Sequence, residues 1–263
     1  MHPLVNIAVS AARKAGNLIA RNADRIEELH ITSKARNDFV SEVDRNAEAV
    51  IADIIHRAHP DHPILGEESG RSAETGDVLW IVDPLDGTTN FLHRIPHYAV
   101  SIGIQVRGRL EHGVIYAPAT QDLYIASRGA GAQLNSRRIR VSGRGTADGA
   151  LLGTGIPTDP ERLATYLPTL NKLAANSSGI RRAGSAALDL AYVAAGRLDA
   201  FWEFGLKPWD IAAGIVLVQE AGGYVTEIGG SEDVLATGDV LATTPKLQEH
   251  LARVLTSSAR AAA

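Results

Sequence analysis

The 263-residue chain contains no cysteine, and this absence excludes several kinds of chemistry at once. Disulfide bonds, thiolate metal ligands, iron–sulfur clusters and cysteine nucleophiles all require a residue that the sequence does not have. Long apolar runs are missing as well, since the longest, at 78–82 and 211–218, are far below the roughly 18 residues that cross a bilayer. Arg13 and Lys14 interrupt the N-terminal segment, which therefore does not resemble a signal peptide. These absences predict a cytoplasmic protein without a membrane segment.

The chain also lacks an excess of basic residues. Lysine and arginine together number 26, aspartate and glutamate 30, and the formal net charge is −4. Proteins dedicated to nucleic acids or to membrane surfaces normally carry a basic excess, so neither partner is expected here. A hydrophobic content of 45% is ordinary for a globular protein and predicts a buried core.

Hydrophobic spacing predicts alternating helices and strands in the first half of the chain. Apolar residues three and four positions apart indicate helices over 4–21 and 41–58, with the polar segment 32–39 between them as a loop. The continuously apolar segment 78–82 predicts a strand that is buried on both faces. Short segments rich in valine, isoleucine and tyrosine between 98 and 141 predict an antiparallel meander.

A polar, glycine-rich segment at 143–149 separates this half from a second one. We therefore divide the chain into an N-terminal α+β half, 1–145, and a C-terminal α/β half, 146–263, which together form one compact catalytic unit. The second half alternates strands and helices, which indicates stacked layers of helix and sheet rather than a single Rossmann sheet. The predicted strands are 151–154, 198–202, 224–227 and 240–243, and the predicted helices are 160–175, 185–195, 211–221 and 246–255.

The most informative motif is the sequence Asp-Pro-Leu-Asp-Gly-Thr at 83–88, directly after the buried strand. Two carboxylates this close repel each other unless a cation neutralises them, and carboxylate and carbonyl oxygens are the ligands that Mg²⁺ prefers. Gly87 permits a close approach of the backbone, and a helix that begins at Thr88 would offer free N–H groups to a phosphate. An ordinary Asp-Gly turn is the alternative, which the preceding buried strand makes the less favoured one.

Five further acidic residues lie near predicted element boundaries. Glu67 and Glu68 follow an apolar strand, although paired acids in such a loop are usually only solvated. Asp210 stands immediately before an apolar helix, where an N-cap is the usual role, but at a buried helix start the same carboxylate could reach a metal. Asp38 and Asp44 flank the start of the helix at 41–58, and a function for them needs support from outside these residues.

Three spaced motifs resemble the signatures of the inositol monophosphatase family. They read Gly-Glu-Glu-Ser at 66–69, Trp-Ile-Val-Asp-Pro-Leu-Asp-Gly-Thr-Thr-Asn-Phe at 80–91 and Trp-Asp-Ile-Ala-Ala-Gly at 209–214. Segments 1–19 and 184–196 are similar to the bacterial extragenic-suppressor subgroup of that family. The resemblance covers nearly the whole chain and implies an α/β layered fold, the five-layer αβαβα sandwich, usually as a homodimer. It also implies Mg²⁺-dependent, Li⁺-sensitive hydrolysis of a phosphate monoester, with inositol 1-phosphate as the expected substrate.

The resemblance further implies a metal site of two to three Mg²⁺ ions per subunit. Glu67, Asp83 and the carbonyl of Leu85 would bind the first ion. Asp83, Asp86 and Asp210 would bind the second, and a third, weaker ion would lie near Glu67, held largely through water.

The same resemblance assigns the remaining roles. Thr88 would polarise the attacking water, with Asp44 behind it as hydrogen-bond partner and Glu67 assisting. Lys34 and Asp38 would lie on a loop that closes over the metals. The substrate, a small phosphorylated polyol or sugar, would contact Asp86, Gly87, Thr88, Gly184, Ser185, Ala186, Glu203 and Asp210.

Other functions remain open at this stage. Relatives with the same metal motifs hydrolyse fructose 1,6-bisphosphate, histidinol phosphate or 3′-phosphoadenosine nucleotides. Members of the bacterial subgroup also act as accessory proteins of transcription, in ribosomal RNA antitermination, so RNA polymerase or an elongation factor is a partner by analogy. A fold that has lost its activity is the least favoured alternative, because no metal-ligand position is replaced.

Overall fold

The computed structural model describes residues 2–28, 31–35, 38–73, 76–157, 159–229 and 233–262, with the backbone alone at 28, 31–35, 38–41, 165 and 257–262. Within these ranges the helices are α1 (Pro3–Asn22), α2 (Glu42–Ala58), α3 (Thr88–Leu92), α4 (Pro160–Ala175), α5 (Ala186–Ala194), α6 (Pro208–Glu220), α7 (Val234–Thr237) and α8 (Gln248–Ala262). The strands are β1 (Ile31–Ala35), β2 (Asp38–Ser41), β3 (Ile64–Gly66), β4 (Gly70–Arg71), β5 (Val78–Asp86), β6 (Ala99–Val106), β7 (Arg109–Ala117), β8 (Asp122–Ser127), β9 (Gly131–Leu134), β10 (Arg137–Arg138), β11 (Leu151–Thr154), β12 (Gly179–Arg181), β13 (Ala200–Glu203), β14 (Tyr224–Glu227) and β15 (Val240–Thr243).

Helices α1 and α2 cover one face of an eight-stranded sheet with the order β10-β9-β8-β7-β6-β5-β3-β4. Both helices present one apolar stripe, with Ala8, Ala15 and Ile19 on α1 and Ala47 and Ile51 on α2 fully buried. Their apolar residues share a core with one face of β5, β6 and β7. The apolar residues that are spaced three and four positions apart in the sequence thus form the buried face of a helix layer on one side of the sheet.

Helices α5 and α6 form the central layer and contact the eight-stranded sheet on its other face. Residues 211–218 of α6 are all buried, as expected for a helix that has protein on every side. Gly103 and Gly113 are paired across β6 and β7. A Cβ atom at either position would overlap Ala212 or Ala213, so this glycine pair lets α6 approach the sheet closely.

The second sheet has five strands in the order β12-β11-β13-β15-β14 and lies on the far side of α5 and α6. Helices α4 and α8 cover its outer face, where Tyr166, Leu173 and Leu251 pack against Leu152 and Trp202. The layers therefore follow the order α-β-α-β-α, which confirms the expected α/β layered sandwich. Among the described residues, no helix is both long and apolar enough to cross a membrane.

One expectation about the first half was wrong. The segment 32–39, predicted as a loop, contains most of an antiparallel pair, β1 and β2, in which Thr32 opposes Val40. Backbone hydrogen bonds hold a two-stranded ribbon together, and its side chains need not alternate between apolar and polar. The strand predicted at 78–82 is confirmed, and it continues to Asp86. In the second half, the short helix α7 was not predicted.

Candidate active site

Strand β5 carries one extra residue close to its end. Asp83 lies opposite Ser101 of β6 and Asp86 lies opposite Ala99, so three steps along β5 match two along β6. In a regular strand, residues three apart point to opposite faces, whereas this bulge returns both aspartates to the face of Ser101 and Ala99. Leu85 instead lies in the apolar core on the α2 side. The bulge therefore brings both carboxylates of the 83–88 motif to one face, next to α6.

Glu67 lies beside Asp83 because β3 and β5 are parallel neighbours. Gly66 is paired with Val82, and the N–H of Glu67 donates to the carbonyl of Val82 at 3.1 Å. The next residue on each strand is thus an acid, and the two carboxylates meet at the carboxyl ends of adjacent strands. Ligand sites in α/β sheets commonly lie at this edge.

Asp86 is held at the N-terminus of α5. Its Oδ2 accepts a hydrogen bond from the hydroxyl of Ser185 at 2.5 Å and one from the N–H of Ala187 at 2.8 Å. Ser185 also caps α5, and Ala186 is the first residue of that helix. Burial raises the pKa of Asp86 to about 6, against the opposing effect of these hydrogen bonds. The C-terminal half of the chain thus anchors a carboxylate of the N-terminal half.

Asp210 lies inside the first turn of α6 and not before it, because the helix begins at Pro208. The expected N-cap position is therefore occupied by Lys207, whose N–H donates to Asp210 Oδ2 at 2.7 Å. The sequence pattern missed this start because proline fits the first helical position without an N–H to satisfy. At its observed position Asp210 acts electrostatically on Asp83.

The four carboxylates Glu67, Asp83, Asp86 and Asp210 repel one another. Asp83 is 2% exposed, and burial followed by Glu67, Asp86 and Asp210 raises its pKa well above the usual range. Burial and then Asp86 likewise raise the pKa of Asp210. The oxygen donors and the clustered negative charge fit a hard divalent cation. Among the described side chains, however, no group of three or more acids or histidines is arranged to hold a metal ion. Asp86 and Asp210 each accept a hydrogen bond from an N–H group of the protein.

Thr88 lies between this cluster and helix α2. Its hydroxyl lies 2.9 Å from Asp44 Oδ1 and 3.0 Å from the carbonyl of Leu85. Asp44 is 1% exposed. Gly87, with a φ of +91°, precedes α3, and a Cβ there would lie only 3.0 Å from the carbonyl oxygen of His97 and 3.3 Å from that of Gly184. Glycine therefore serves both the backbone conformation and the close contact with the loop before α5.

Glu203 ends β13 at the rim of the same site. Burial and then Asp86 raise its pKa to about 8, whereas Arg182 lowers it. A Cβ at Gly155 would overlap the Glu203 carboxylate, so the glycine that directly follows the neighbouring strand β11 makes room for it. Sequence reasoning gave no role to Asp189, which is 2% exposed and whose pKa is raised well above the usual range by burial and Glu203.

Two other residues also escaped sequence reasoning. Asn90 Nδ2 donates to the carbonyls of His97 and Ala183 at 2.8 and 2.9 Å, and so ties α3 to the loop before α5. Glu48 of α2 binds the loop of Glu67. For both residues, the signal in the sequence was a charged or amide side chain among apolar neighbours.

Lys34 and Asp38, expected on a closing loop, lie on β1 and β2, and their side chains are outside the described part of the chain.

Comparisons with known proteins agree on one family. The model of the inositol monophosphatase family matches residues 1–260. A protein of Pseudomonas aeruginosa named Nus factor SuhB is 52% identical over 252 residues, which cover 94% of this chain and 93% of that protein.

Solved structures show the same similarity. The extragenic suppressor protein SuhB of Bartonella henselae superimposes with a TM-score of 0.94 at 45% identity and covers 97% of this chain and 98% of its own. An inositol monophosphatase from Anabaena (Nostoc) sp. PCC 7120 superimposes with a TM-score of 0.86 at 39% identity, covering 97% and 95% of the two chains.

Proposed function

The chain belongs to the inositol monophosphatase family, and we propose that it is a Mg²⁺-dependent phosphatase that converts inositol 1-phosphate to inositol and phosphate. The observation that carries this proposal is the convergence of Glu67, Asp83, Asp86 and Asp210 beside the carboxyl ends of β3 and β5. Burial raises the pKa of the three aspartates, and neighbouring carboxylates raise those of Asp83 and Asp210 further. A phosphate dianion would be repelled from such a site unless cations neutralised it first.

Two Mg²⁺ ions would be held by these four carboxylates and by the Leu85 carbonyl, and a third ion near Glu67. When bound, Mg²⁺ would lower the charge of the site and the pKa of a bound water, and would stabilise the leaving alkoxide. Members of the family generally depend on Mg²⁺. The chain itself then has to hold the phosphate, orient the water and recognise the alcohol.

Thr88 is suited to orient the water. Its single hydroxyl proton is directed toward Asp44 Oδ1 and the Leu85 carbonyl. The hydroxyl oxygen can therefore only accept a hydrogen bond from a further partner such as water. A water that donates to Thr88 has its lone pair turned away from that bond and toward the phosphorus. The carboxylate of Asp44 keeps this polarity fixed.

The phosphate and the alcohol would bind on either side of Asp86. The N–H groups of Gly87 and Thr88 would hold phosphate oxygens, and Gly184, Ser185 and Ala186 would line the pocket next to them. Glu203, with its raised pKa, can donate as well as accept a hydrogen bond at neutral pH. This dual capacity suits a polyol, whose hydroxyls also do both.

Phosphate release from D-myo-inositol 1-phosphate tests the proposal, measured with and without Mg²⁺ and with added Li⁺. Mg²⁺-dependent release that Li⁺ inhibits is the expected result. A panel of fructose 1,6-bisphosphate, histidinol phosphate and 3′-phosphoadenosine nucleotides gives the substrate range. No release from any of these compounds would contradict the enzymatic proposal.

A homodimer and a cytoplasmic location belong to the same proposal. Light scattering coupled to size-exclusion chromatography is expected to give twice the mass of 27.9 kDa. A concentration-independent monomer would contradict the dimer.

An accessory role in transcription is the second candidate function, because the P. aeruginosa relative is named a Nus factor and is 52% identical over 252 residues. RNA polymerase or an elongation factor would be the partner. The Asp83→Asn variant separates the two functions, since a partner role independent of catalysis would persist in it. Binding of purified polymerase or elongation factors to this variant and to the wild type is the measurement, and no binding by either would contradict the role.

A further inference from the structure

Helix α2 presents two acidic side chains, one turn apart, to two different loops of the site. Asp44 lies against Thr88 in the loop after β5. Glu48 lies four residues further on, about 6 Å along the helix axis and on the same face. Glu48 is 5% exposed and does not belong to any of the motifs that identify the family.

The carboxylate of Glu48 accepts two hydrogen bonds from the loop after β3. Oε2 accepts from the N–H of Glu68 and Oε1 from the N–H of Ser69, both at 2.9 Å. These are the two residues that directly follow Glu67. The N–H of Glu67 itself donates to Val82 of β5. Three successive amides are thus fixed, the first by the sheet and the next two by one side chain.

Gly66 completes the arrangement from the other side. A Cβ at this position would lie 2.5 Å from Glu48 Oε2, so the carboxylate lies against the bare Cα of the glycine. The φ of Gly66 is outside the left-handed region, and glycine is required there for space and not for backbone conformation.

We infer that Glu48 is a positioning residue for Mg²⁺ binding: it fixes the backbone of residues 67–69 and thereby the direction of the Glu67 carboxylate. Both of its oxygens are engaged by N–H groups, which makes it a support for a ligand and not a ligand itself. Partners that orient metal ligands typically change metal affinity about 10- to 100-fold when they are mutated. The inference rests on the proposed Mg²⁺ site.

Glu48→Gln is the direct test, because the amide keeps the shape but offers one acceptor oxygen to two N–H donors. We expect the Kd for Mg²⁺, measured by titration calorimetry, to rise about 10- to 100-fold. The half-saturating Mg²⁺ concentration for activity should rise in parallel, while kcat at saturating Mg²⁺ stays within about threefold of the wild type. A purely structural role would lower the melting temperature and leave the Kd for Mg²⁺ unchanged.

Glu220→Gln is the matched control. Glu220 likewise accepts two backbone N–H groups, from Gly129 and Gly131 at 2.9 and 2.8 Å, in the turn between β8 and β9. It ends α6, ten residues from Asp210 and so about 15 Å along the helix. The control should lose stability without a change in the Kd for Mg²⁺.

Gly66→Ala supplies an independent variant in case Glu48→Gln does not fold. The added methyl group should displace the Glu48 carboxylate and raise the Kd for Mg²⁺ in the same way. In a Glu48→Ala background the same methyl group should have little further effect, because its obstacle has gone.

The outcomes distinguish failure of the role of Glu48 from failure of the proposed function. A Kd for Mg²⁺ within threefold of the wild type in folded Glu48→Gln or Gly66→Ala overturns the role of Glu48. An equal rise in Glu220→Gln overturns it as well, because the effect would then be a general loss of stability. Failure of the wild-type protein itself to bind Mg²⁺ overturns the proposed function, and with it the premise for Glu48.

Discussion

Two buried aspartates, Asp83 in the first sheet and Asp199 beside the second, show opposite ways of accommodating a carboxylate. Asp199 is 8% exposed and lies 3.4 Å from the guanidinium of Arg144. It also accepts hydrogen bonds from Ser142 Oγ at 2.5 Å and from the N–H of Leu151 at 2.8 Å. Protein groups therefore neutralise and satisfy its charge.

Asp83 is also buried, but within the described part of the chain the charged groups that act on it are Glu67, Asp86 and Asp210, all of the same sign. One backbone N–H, that of Leu85, donates to it at 2.9 Å. A buried carboxylate with its own cation is compensated within the fold, and breaking the pair is costly, whereas one among other carboxylates favours a counter-charge from a bound cation. The contrast separates a structural acid from one that belongs to a binding site, and four predictions test it.

Asp83→Asn has the largest expected effect. Because Asp83 would be a ligand of both proposed ions, its loss should reduce phosphate release at least about 10³-fold. The melting temperature in EDTA should stay the same or rise, since a repelling charge has been removed from the interior. Steady-state kinetics and thermal unfolding in EDTA measure both quantities. Near-normal activity, or a large fall in stability, would place Asp83 in the same class as Asp199.

At the site, Thr88→Val is expected to lower the catalytic rate without changing Mg²⁺ binding. Removal of the water-orienting hydroxyl is expected to lower kcat about 10²-fold while the Kd for Mg²⁺ is retained. Asp44 would lose a buried donor, at a cost of about 1–3 kcal/mol in the free energy of unfolding. Thr88→Ser keeps the hydroxyl and should restore most of kcat. If Val and Ser variants were equally active, the assignment of Thr88 would be wrong.

Glu203 is expected to make the stability of the protein depend on pH. Its pKa in the folded state is about 8, above the ordinary value of 4.5, so between pH 6.5 and 8 the folded protein keeps a proton that the unfolded chain releases. Stability must therefore fall as the pH rises, by about 2 kcal/mol over this window. Urea unfolding in EDTA at several pH values should show this slope in the wild type and a smaller one in Glu203→Gln. Parallel curves for the two proteins would contradict the prediction.

Asp199→Asn has the smallest expected effect on activity. The amide loses the charge that pairs with Arg144 and turns an N–H₂ group toward existing donors, so the free energy of unfolding should fall by about 1–3 kcal/mol. Catalysis and Mg²⁺ affinity should stay within about twofold of the wild type. A loss of activity comparable to that of Asp83→Asn would remove the distinction between the two aspartates.

Much of the layered fold could be predicted from the sequence because its elements are strongly periodic or clearly bounded. Helix α4 begins at Pro160, a residue suited to a first helical turn, and β11 and β15 were predicted with their observed bounds. The pair β1 and β2 was missed because its polar residues lack alternation, and ribbon pairing depends on backbone groups that composition does not report.

Site residues could be predicted from the sequence where they belong to a motif, but not where tertiary packing alone places them at the site. Asp83 and Asp86 could be identified in sequence, but the extra residue that turns both to one face depends on the register with β6. In the sequence, Glu48 and Asp189 look like ordinary helix residues. The N–H partners of Glu48 are 20 positions or more away, and Glu203, which acts on Asp189, lies on another element. Such contacts depend on tertiary structure.

The extra residue of β5 also affects how this site can be lost or altered. A substitution changes the chemistry of one position, but insertion of one residue between Ala99 and Ser101 of β6 would let β5 pair in regular alternation and would turn Asp86 to the side of helix α2. Such a protein would still contain every acidic residue of the motif, and its amino-acid composition would be ordinary. Whether a homologue can form this site therefore depends on the length of the paired segment of β6 as much as on the acidic residues of β5, and alignments that tolerate a gap there would overlook the difference.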